Sequence, residues 1–244
     1  MILNVVGTNY AGKTTLIEGS LTDHPTTFLD IRNYRDLIAP DFYRQSFDAV
    51  GPAGMQWRLA QDHPHAVAAA ARLVARGRVA LAARFWRYFF IHAALVERAR
   101  RAAPQDVAIL DEGLPKKFIE AVPFVVEAKA KAVRATWDKV MSDHGEQLVR
   151  SLAGLVDTII WVDADPDDIV ARAGVRTPDF LARIGADAIR TRHSIQRVAF
   201  ARLLEAAEAA GVATRRIDSS RSDAQGQFNA IVNDSRPTSP LGAR

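Results

Sequence analysis

The sequence predicts an α/β fold in which a parallel sheet of five strands is flanked by helices. Short apolar runs that suit buried strands alternate along the chain with longer segments of helical pattern, as in a parallel sheet with right-handed crossovers. A glycine-rich turn follows the first run, and each of the other four runs ends in an aspartate. The five predicted strands span residues 2–6, 26–30, 106–111, 157–163 and 213–218.

The composition is that of a globular protein with one domain. Of the 244 residues, 48% are hydrophobic and 25% are charged, which allows a sizeable core. We predict a single domain over residues 1–232 and a disordered tail over residues 233–244. The chain has no cysteine, which excludes disulfides and cysteine chemistry and is consistent with a cytoplasmic protein.

The formal net charge of +4 suits an anionic ligand, but it fits a nucleotide as well as a nucleic acid. The most apolar long run, residues 79–96, carries Arg84, Arg87 and His92, which would be costly at the centre of a bilayer. We therefore expect no membrane span. The N-terminal run is predicted to be a core strand, so we do not expect a cleaved signal peptide there.

The turn after the first strand fits the pattern G-x-x-x-x-G-K-[ST], the P-loop. Its glycines allow the backbone N–H groups to face a phosphate, and the N-terminus of the following helix adds partial positive charge. Lys13 can reach the terminal phosphates, and the Thr14 hydroxyl can bind Mg²⁺. The pattern therefore predicts a nucleoside triphosphate site, bound by Gly7, Asn9, Tyr10, Ala11, Gly12, Lys13, Thr14 and Thr15.

The third predicted strand ends in Asp111-Glu112-Gly113. In an open α/β sheet the carboxyl ends of the strands line the ligand crevice, so Asp111 is expected beside the P-loop. There it would bind Mg²⁺ or the water around it, together with Thr14. The alternative is that Asp111 is a turn or cap residue.

A long, mostly helical insertion, residues 32–105, separates the second and third strands. Residues 66–103 form one predicted helix that holds eight arginines against one acid, Glu97. Arg84 and Arg87 flank its aromatic cluster and are candidates to point into a phosphate-filled cleft. Packing or solvent exposure is the alternative, and a basic helix of this kind can also lie on a membrane or on DNA.

After the fourth strand, Asp165 and Pro166 are typical of a helix start. Arg172 and Arg176 then fall four residues apart, on one face of that helix. On a lid over residues 170–193 they could stabilise charge on a triphosphate, although a solvated arginine face is the alternative. A further helix is predicted over residues 200–210.

Taken together, these motifs resemble the P-loop nucleoside and nucleotide kinases, in the forms of thymidylate kinase and the deoxynucleoside kinases. The resemblance rests on the P-loop, the strand ends at Asp30 and Asp111, the segment from Trp161 to Arg176 and the Ile217-Asp218-Ser219-Ser220 end. It implies a P-loop NTPase fold with a helical acceptor-side insertion and an arginine-bearing lid. It also implies ATP as phosphoryl donor, Mg²⁺, a small-molecule acceptor and a transferase activity, and it leaves a homodimer open.

Two motifs depart from these families. Thymidylate kinases carry Asp-Arg and deoxynucleoside kinases Glu-Arg-Ser after the third strand, where this chain has Asp-Glu-Gly. The second strand ends in Asp30-Ile31-Arg32, without the Glu-Pro motif of both families. The resemblance still implies Asp30 as the base for an acceptor hydroxyl, and Arg32 or Arg35 as a group that holds an acceptor phosphate. The sequence leaves open whether Asp30 or Glu112 is the base.

We expect a kinase whose catalytic residues are Lys13, Asp30, Asp111, Arg172 and Arg176, and whose acceptor side includes Arg32, Arg35, Arg84, Arg87 and Glu112. One alternative keeps the chemistry but takes a modified base or an end in nucleic acid as acceptor. Another is a regulatory module that binds or hydrolyses nucleotide without a small acceptor. The sequence leaves the acceptor and the choice between ATP and GTP open.

Overall fold

The computed structural model describes residues 1–23, 27–30, 52–102, 107–113 and 149–236. The strands are β1 (Ile2–Gly7), β2 (Thr27–Asp30), β3 (Ala108–Asp111), β4 (Thr158–Asp163) and β5 (Ala213–Asp218). The helices are α1 (Lys13–Asp23), α2 (Pro52–Asp62), α3 (Pro64–Ala75), α4 (Val79–Ala102), α5 (Pro166–Arg176), α6 (Pro178–Ile184), α7 (Ala186–Ala209) and α8 (Ala224–Asp234). Residues 149–153 are also helical.

The strands form one sheet in the order β2-β3-β1-β4-β5, and each neighbouring pair is parallel. Every residue of β1, β3 and β4 is buried, because helices cover both faces of the sheet. The edge strand β5 buries only two of its six residues. The predicted α/β class, a parallel sheet flanked by helices, is confirmed.

Successive side chains of the central strands enter two separate cores. In β4, Ile159 and Trp161 belong to one core, and Ile160 and Val162 belong to the other. The first core is closed by α3, α4, the segment 149–156 and most of α7. The second core is closed by α1, α5 and α8. This period of two follows from the pleat of a strand, and it places α1 and α5 on the same face of the sheet.

The predicted single helix over residues 66–103 is wrong, because α3 ends before α4 begins at Val79. Gly77 lies between them with φ +72°, a backbone conformation that glycine adopts at little cost. The N–H of Gly77 donates to Val74 O at 2.8 Å, and the N–H of Arg78 donates to Leu73 O at 2.8 Å. These two bonds satisfy carbonyls at the end of α3 and turn the chain back. The described part of the predicted insertion, residues 52–102, is mostly helical, as three separate helices.

Among the described residues, one stretch, Val79–Glu97 in α4, is long and apolar enough to cross a membrane, with a mean hydropathy of 1.3. Half of this stretch is buried within the protein. Phe85 and Phe89 are fully buried in the first core. In this fold α4 therefore packs as a core helix.

The predicted lid segment, residues 170–193, contains most of α5, all of α6 and the beginning of α7. Asp165 caps α5 as predicted, since its side chain accepts a hydrogen bond from Asp167 N at 2.8 Å. The helix predicted over residues 200–210 begins earlier, at Ala186. At the C-terminus α8 extends to Asp234, past the predicted start of the tail at residue 233. Residues 237–244 lie outside the described residues.

Candidate functional site

The P-loop connects the end of β1 to the beginning of α1. Tyr10 and Gly12 adopt φ angles of 66° and 86°, and Ala11 N donates to Thr8 O at 3.3 Å. A Cβ on Gly7 would lie 2.3 Å from the carbonyl oxygen of Val162 on β4, so only glycine fits there. Tyr10 bears a side chain in the left-handed region, which costs about 1 kcal/mol or more. The loop conformation is therefore imposed by the surrounding structure.

Lys13, the first residue of α1, folds back over this loop. Its ammonium group donates to Gly7 O at 3.3 Å and to Thr8 O at 3.1 Å. The same nitrogen lies 3.9 Å from Oε1 of Glu112, and the Lys13 side chain is only 6% exposed. The lysine charge is thus held between the loop and the carboxyl end of β3.

Asp111 and Glu112 bring two buried carboxyl groups to the end of β3. Asp111 is 1% exposed. Glu112 has φ 72°, and its N–H donates to Val5 O at 2.9 Å. Asp111 is in register with Asp30 of β2, on a strand about 4.8 Å away. Three acidic residues therefore gather at one edge of the sheet, next to the P-loop.

Asn4, His92 and Gly113 lie beneath that edge. Asn4 is fully buried in β1, and its Nδ2 donates to Leu110 O at 3.0 Å. A Cβ on Gly113, whose φ is +50°, would lie 2.7 Å from Asn4 Nδ2 and 3.0 Å from His92 Cε1. Burial lowers the pKa of His92 to about 3, so its ring is neutral at neutral pH. This polar, uncharged layer was not predicted, although Asn4 within an apolar run was a visible signal.

Arg172 of α5 binds the outside of the P-loop. Its Nη1 donates to Ser219 Oγ at 2.9 Å and to Tyr10 O at 3.3 Å, and its Nη2 donates to Ser219 O at 3.0 Å. Ser219 Oγ in turn donates to Ala11 O at 2.6 Å. A Cβ on Gly12 would lie 3.2 Å from Arg172 Nη1. Arg172 and Ser219 thus hold the turn of the loop against α5 and the end of β5.

His193 of α7 and Thr177 make two further contacts with the loop. Nδ1 of His193 lies 3.0 Å from Thr8 Oγ1, and Nε2 lies 3.0 Å from Ala164 O. Burial lowers the pKa of His193 and outweighs the raising effect of Asp163. The Tyr10 hydroxyl is hydrogen-bonded to Thr177 Oγ1 at 2.8 Å. The sequence predicts neither His193 nor Thr177 as part of the site.

The structure brings Lys13, Asp111 and Glu112 together, with the backbone of Asp30 on the neighbouring strand. Arg172 contacts the P-loop from the outside, at Tyr10 O. Of the other loop residues, Asn9 and Thr15 are exposed and Thr14 is half-buried. The side chain of Asp30, and Arg32 and Arg35 as a whole, lie outside the described residues.

The other three predicted arginines are exposed. Arg176 is in the last turn of α5. Arg84 and Arg87 lie on α4, and Arg84 stacks on Tyr88 at 6.0 Å from the ring centroid. They precede His92, whose ring lies beside Gly113, by about 12 and 8 Å along the helix axis. Their roles remain predictions.

Within the described residues, no group of three or more His, Cys, Asp or Glu side chains could hold a metal ion. A Mg²⁺ site built from Thr14 and Asp111 needs fewer protein ligands, because Mg²⁺ usually takes only one or two carboxylates and completes its shell with water and phosphate oxygens. The oxygen donors of these two residues fit that ion.

Fold and loop together define an α/β protein with a P-loop at the carboxyl edge of its sheet. Comparison with solved structures finds deoxyadenosine kinase from M. mycoides with bound dATP, at 13% identity and a TM-score of 0.45, with 96% of this chain and 98% of that chain covered. The same kinase with bound dCTP gives 12% identity and a TM-score of 0.47, with the same coverage. Identities and TM-scores this low do not establish family or substrate. No family model and no curated protein sequence matches the chain.

Proposed function

We propose that the protein is an ATP- and Mg²⁺-dependent phosphotransferase that moves the γ-phosphoryl group to a small hydroxyl acceptor such as a nucleoside or nucleotide. The observation that carries the proposal is the position of Lys13. Its ammonium group lies between the P-loop carbonyls and Glu112, 3.9 Å from the carboxylate. A cationic donor loop thus opens directly onto the acidic edge of the sheet.

The donor half of the site is the P-loop with the N-terminus of α1. The left-handed residues Tyr10 and Gly12 support a curled loop whose N–H groups suit phosphate oxygens. When a triphosphate binds, Lys13 exchanges the carbonyls of Gly7 and Thr8 for the β- and γ-phosphates. Phosphoryl transfer depends mainly on such positioning and charge neutralisation.

Thr14 and Asp111 would hold Mg²⁺, the first through its hydroxyl and the second through its carboxylate. The ion would offset the charge of the phosphate oxygens and orient them. Asp111 suits this role because its carboxyl group is almost fully buried at the end of a central strand.

The acceptor half begins at Asp30 and Glu112. In the reaction, the acceptor oxygen attacks the γ-phosphorus, its proton passes to a carboxylate, and the bond between the γ-phosphorus and the β,γ-bridging oxygen breaks to release ADP. Asp30 is our first choice for this base, because its strand end is in register with Asp111. Glu112 is the second, because its carboxylate is already beside Lys13.

The proposal is tested by measuring ADP release from ATP and Mg²⁺ with nucleosides, monophosphates, sugars and oligonucleotides as acceptors. We expect at least one small acceptor to raise the rate, and Lys13→Met to abolish this rise while urea unfolding still shows a cooperative transition. Asp30→Asn and Glu112→Gln then separate the two candidate bases, since the loss of the base lowers kcat more than it raises KM for ATP.

Two outcomes would contradict the proposal. Full activity of Lys13→Met would mean that the P-loop lysine does not serve the reaction. Slow ATP hydrolysis that no acceptor accelerates would favour a regulatory nucleotide-binding module instead.

A further inference from the structure

His193 connects three elements that are far apart in the sequence. Its ring is 2% exposed and bonds to Thr8 in the P-loop and to Ala164 after β4, while its backbone belongs to α7. Ile189, one turn earlier in α7, packs in the second core, whereas Ile195 packs in the first. The helix therefore passes from one face of the sheet to the other, and His193 lies at the crossing.

The bonding partners determine where the ring proton is. Ala164 O can only accept a hydrogen bond, so Nε2 of His193 carries the proton and donates it. The ring is neutral, because burial disfavours its charged form. Nδ1 is then the acceptor of a hydrogen bond that the Thr8 hydroxyl donates. The imidazole thus uses both nitrogens, one for the sheet and one for the P-loop.

A small cavity, open to solvent on one side, lies between the P-loop and α7. Thr8, Asn9 and Tyr10 line this cavity together with Arg192, His193 and Gln196 of α7. The hydrogen bond between Thr8 and His193 joins the loop to the helix beside this cavity, and both side chains are buried.

Charged groups surround the ring on its other side. Asp163 Oδ1 lies 3.7 Å from Nε2 of His193. Asp163 Oδ2 pairs with Arg197 of α7 at 2.8 Å and with Arg216 of β5 at 2.7 Å. The pair with Arg197 joins α7 to the end of β4, on the side of the imidazole away from Thr8.

We propose that His193 is a positioning residue that holds the P-loop in its phosphate-binding conformation through Thr8. Its ring contacts Thr8 and Ala164, so it acts on the nucleotide through the loop. The inference rests on the proposed function in one respect, that the P-loop binds ATP.

Two substitutions of His193 separate the effects of its two hydrogen bonds, to Thr8 and to Ala164. The side-chain oxygen of asparagine occupies the place of Nδ1, so His193→Asn keeps an acceptor for Thr8 and loses the donor to Ala164. The amide nitrogen of glutamine occupies the place of Nε2, so His193→Gln keeps the donor and loses the acceptor. Thr8→Val removes the same loop bond from the other side without changing the shape of the side chain.

The experiment measures the Kd for ATP with Mg²⁺ by calorimetry, and the free energy of unfolding, on the full chain. We expect His193→Gln and Thr8→Val each to raise Kd by about 3- to 10-fold, the effect of one hydrogen bond between uncharged groups. The double variant should bind no more weakly than either single one, because both remove the same bond. The Kd of His193→Asn for ATP should lie within about 2-fold of that of the unmodified protein, although its free energy of unfolding falls because the bond to Ala164 is lost.

Thr158→Val is the matched control, since Thr158 is a buried threonine at the opposite edge of the sheet, at the beginning of β4. The Kd of Thr158→Val for ATP should equal that of the unmodified protein. Equal Kd values for His193→Asn and His193→Gln, or an unchanged Kd for Thr8→Val, would overturn the inference about His193. If the unmodified protein still binds ATP in that case, the proposed function stands. Absence of ATP binding by the unmodified protein would overturn both.

Discussion

Replacing Arg172 tests whether its side chain anchors the P-loop or acts only in catalysis. The sequence predicts it as a lid charge over the triphosphate, whereas the structure shows its guanidinium bound to Tyr10 O and to both oxygens of Ser219. Replacing Arg172 by Met keeps most of the aliphatic stem and removes all three hydrogen bonds. An anchoring role predicts a loss of stability, and a role confined to catalysis does not.

The size of that loss follows from the contacts. A hydrogen bond from a charged donor contributes about 1.5 to 3 kcal/mol when it is shielded from water. The Arg172 side chain is 32% exposed, so water replaces part of this energy. Its ion pair with Asp168, at 4.0 Å and partly exposed, adds little. We expect Arg172→Met to lower the free energy of unfolding by about 2 to 3 kcal/mol.

The assay combines urea unfolding with ATP titration. Arg176→Met is the control for stability, because Arg176 lies on the same helix but is exposed, and its unfolding free energy should stay within about 0.5 kcal/mol of the unmodified protein. Arg172→Met should also bind ATP more weakly, since the turn of the P-loop loses its support. An unchanged unfolding free energy in Arg172→Met, with a fall in kcat alone, would refute the anchoring role.

Two further predictions concern the loop and the layer beneath it. Gly7→Ala places a Cβ 2.3 Å from Val162 O, so we expect it to lower the free energy of urea unfolding by about 1 to 3 kcal/mol and to abolish ATP binding. The control Gly226→Ala, at an open helical position, should raise the free energy of unfolding by about 0.5 to 1 kcal/mol. Equal effects of the two substitutions would contradict the loop geometry. His92 stays neutral in the folded state down to about pH 3 but takes up a proton below about pH 6.5 when unfolded, so lowering the pH from 7 to 5 should remove about 2 kcal/mol of stability through this group. In His92→Gln the loss of stability between pH 7 and pH 5 should be smaller by about 2 kcal/mol. An identical loss in both proteins would rule out this contribution of His92.

The P-loop could be predicted from the sequence because its determinants are local. Gly7 and Gly12 occupy positions that need glycine, and the strand and helix on either side are contiguous with the loop. The position of Asp111 beside the P-loop could be predicted for a related reason. The last residue of a strand in the middle of a parallel sheet lies at the same edge as the loop.

The remaining features depend on contacts between distant residues. Helical spacing places Arg172 and Arg176 on one face, but it does not show that Arg172 binds Ser219, 47 residues further on. The bond between His193 and Thr8 joins residues 185 positions apart, and a lone histidine in a helix gives no sign of it. The sequence does not predict the break at Gly77, because alanine and arginine favour helix on both sides and a single glycine costs only about 1 kcal/mol in a helix.

The central claim is that a phosphoryl group leaves ATP bound at the P-loop for an acceptor at the acidic edge of the sheet. The most direct measurement incubates the protein with ATP labelled in the γ-phosphate, Mg²⁺ and each acceptor, and follows the label by chromatography. The account predicts that label moves onto a small hydroxyl acceptor with the unmodified protein and not with Lys13→Met. Label that appears only as inorganic phosphate, or transfer that survives in Lys13→Met, would contradict it.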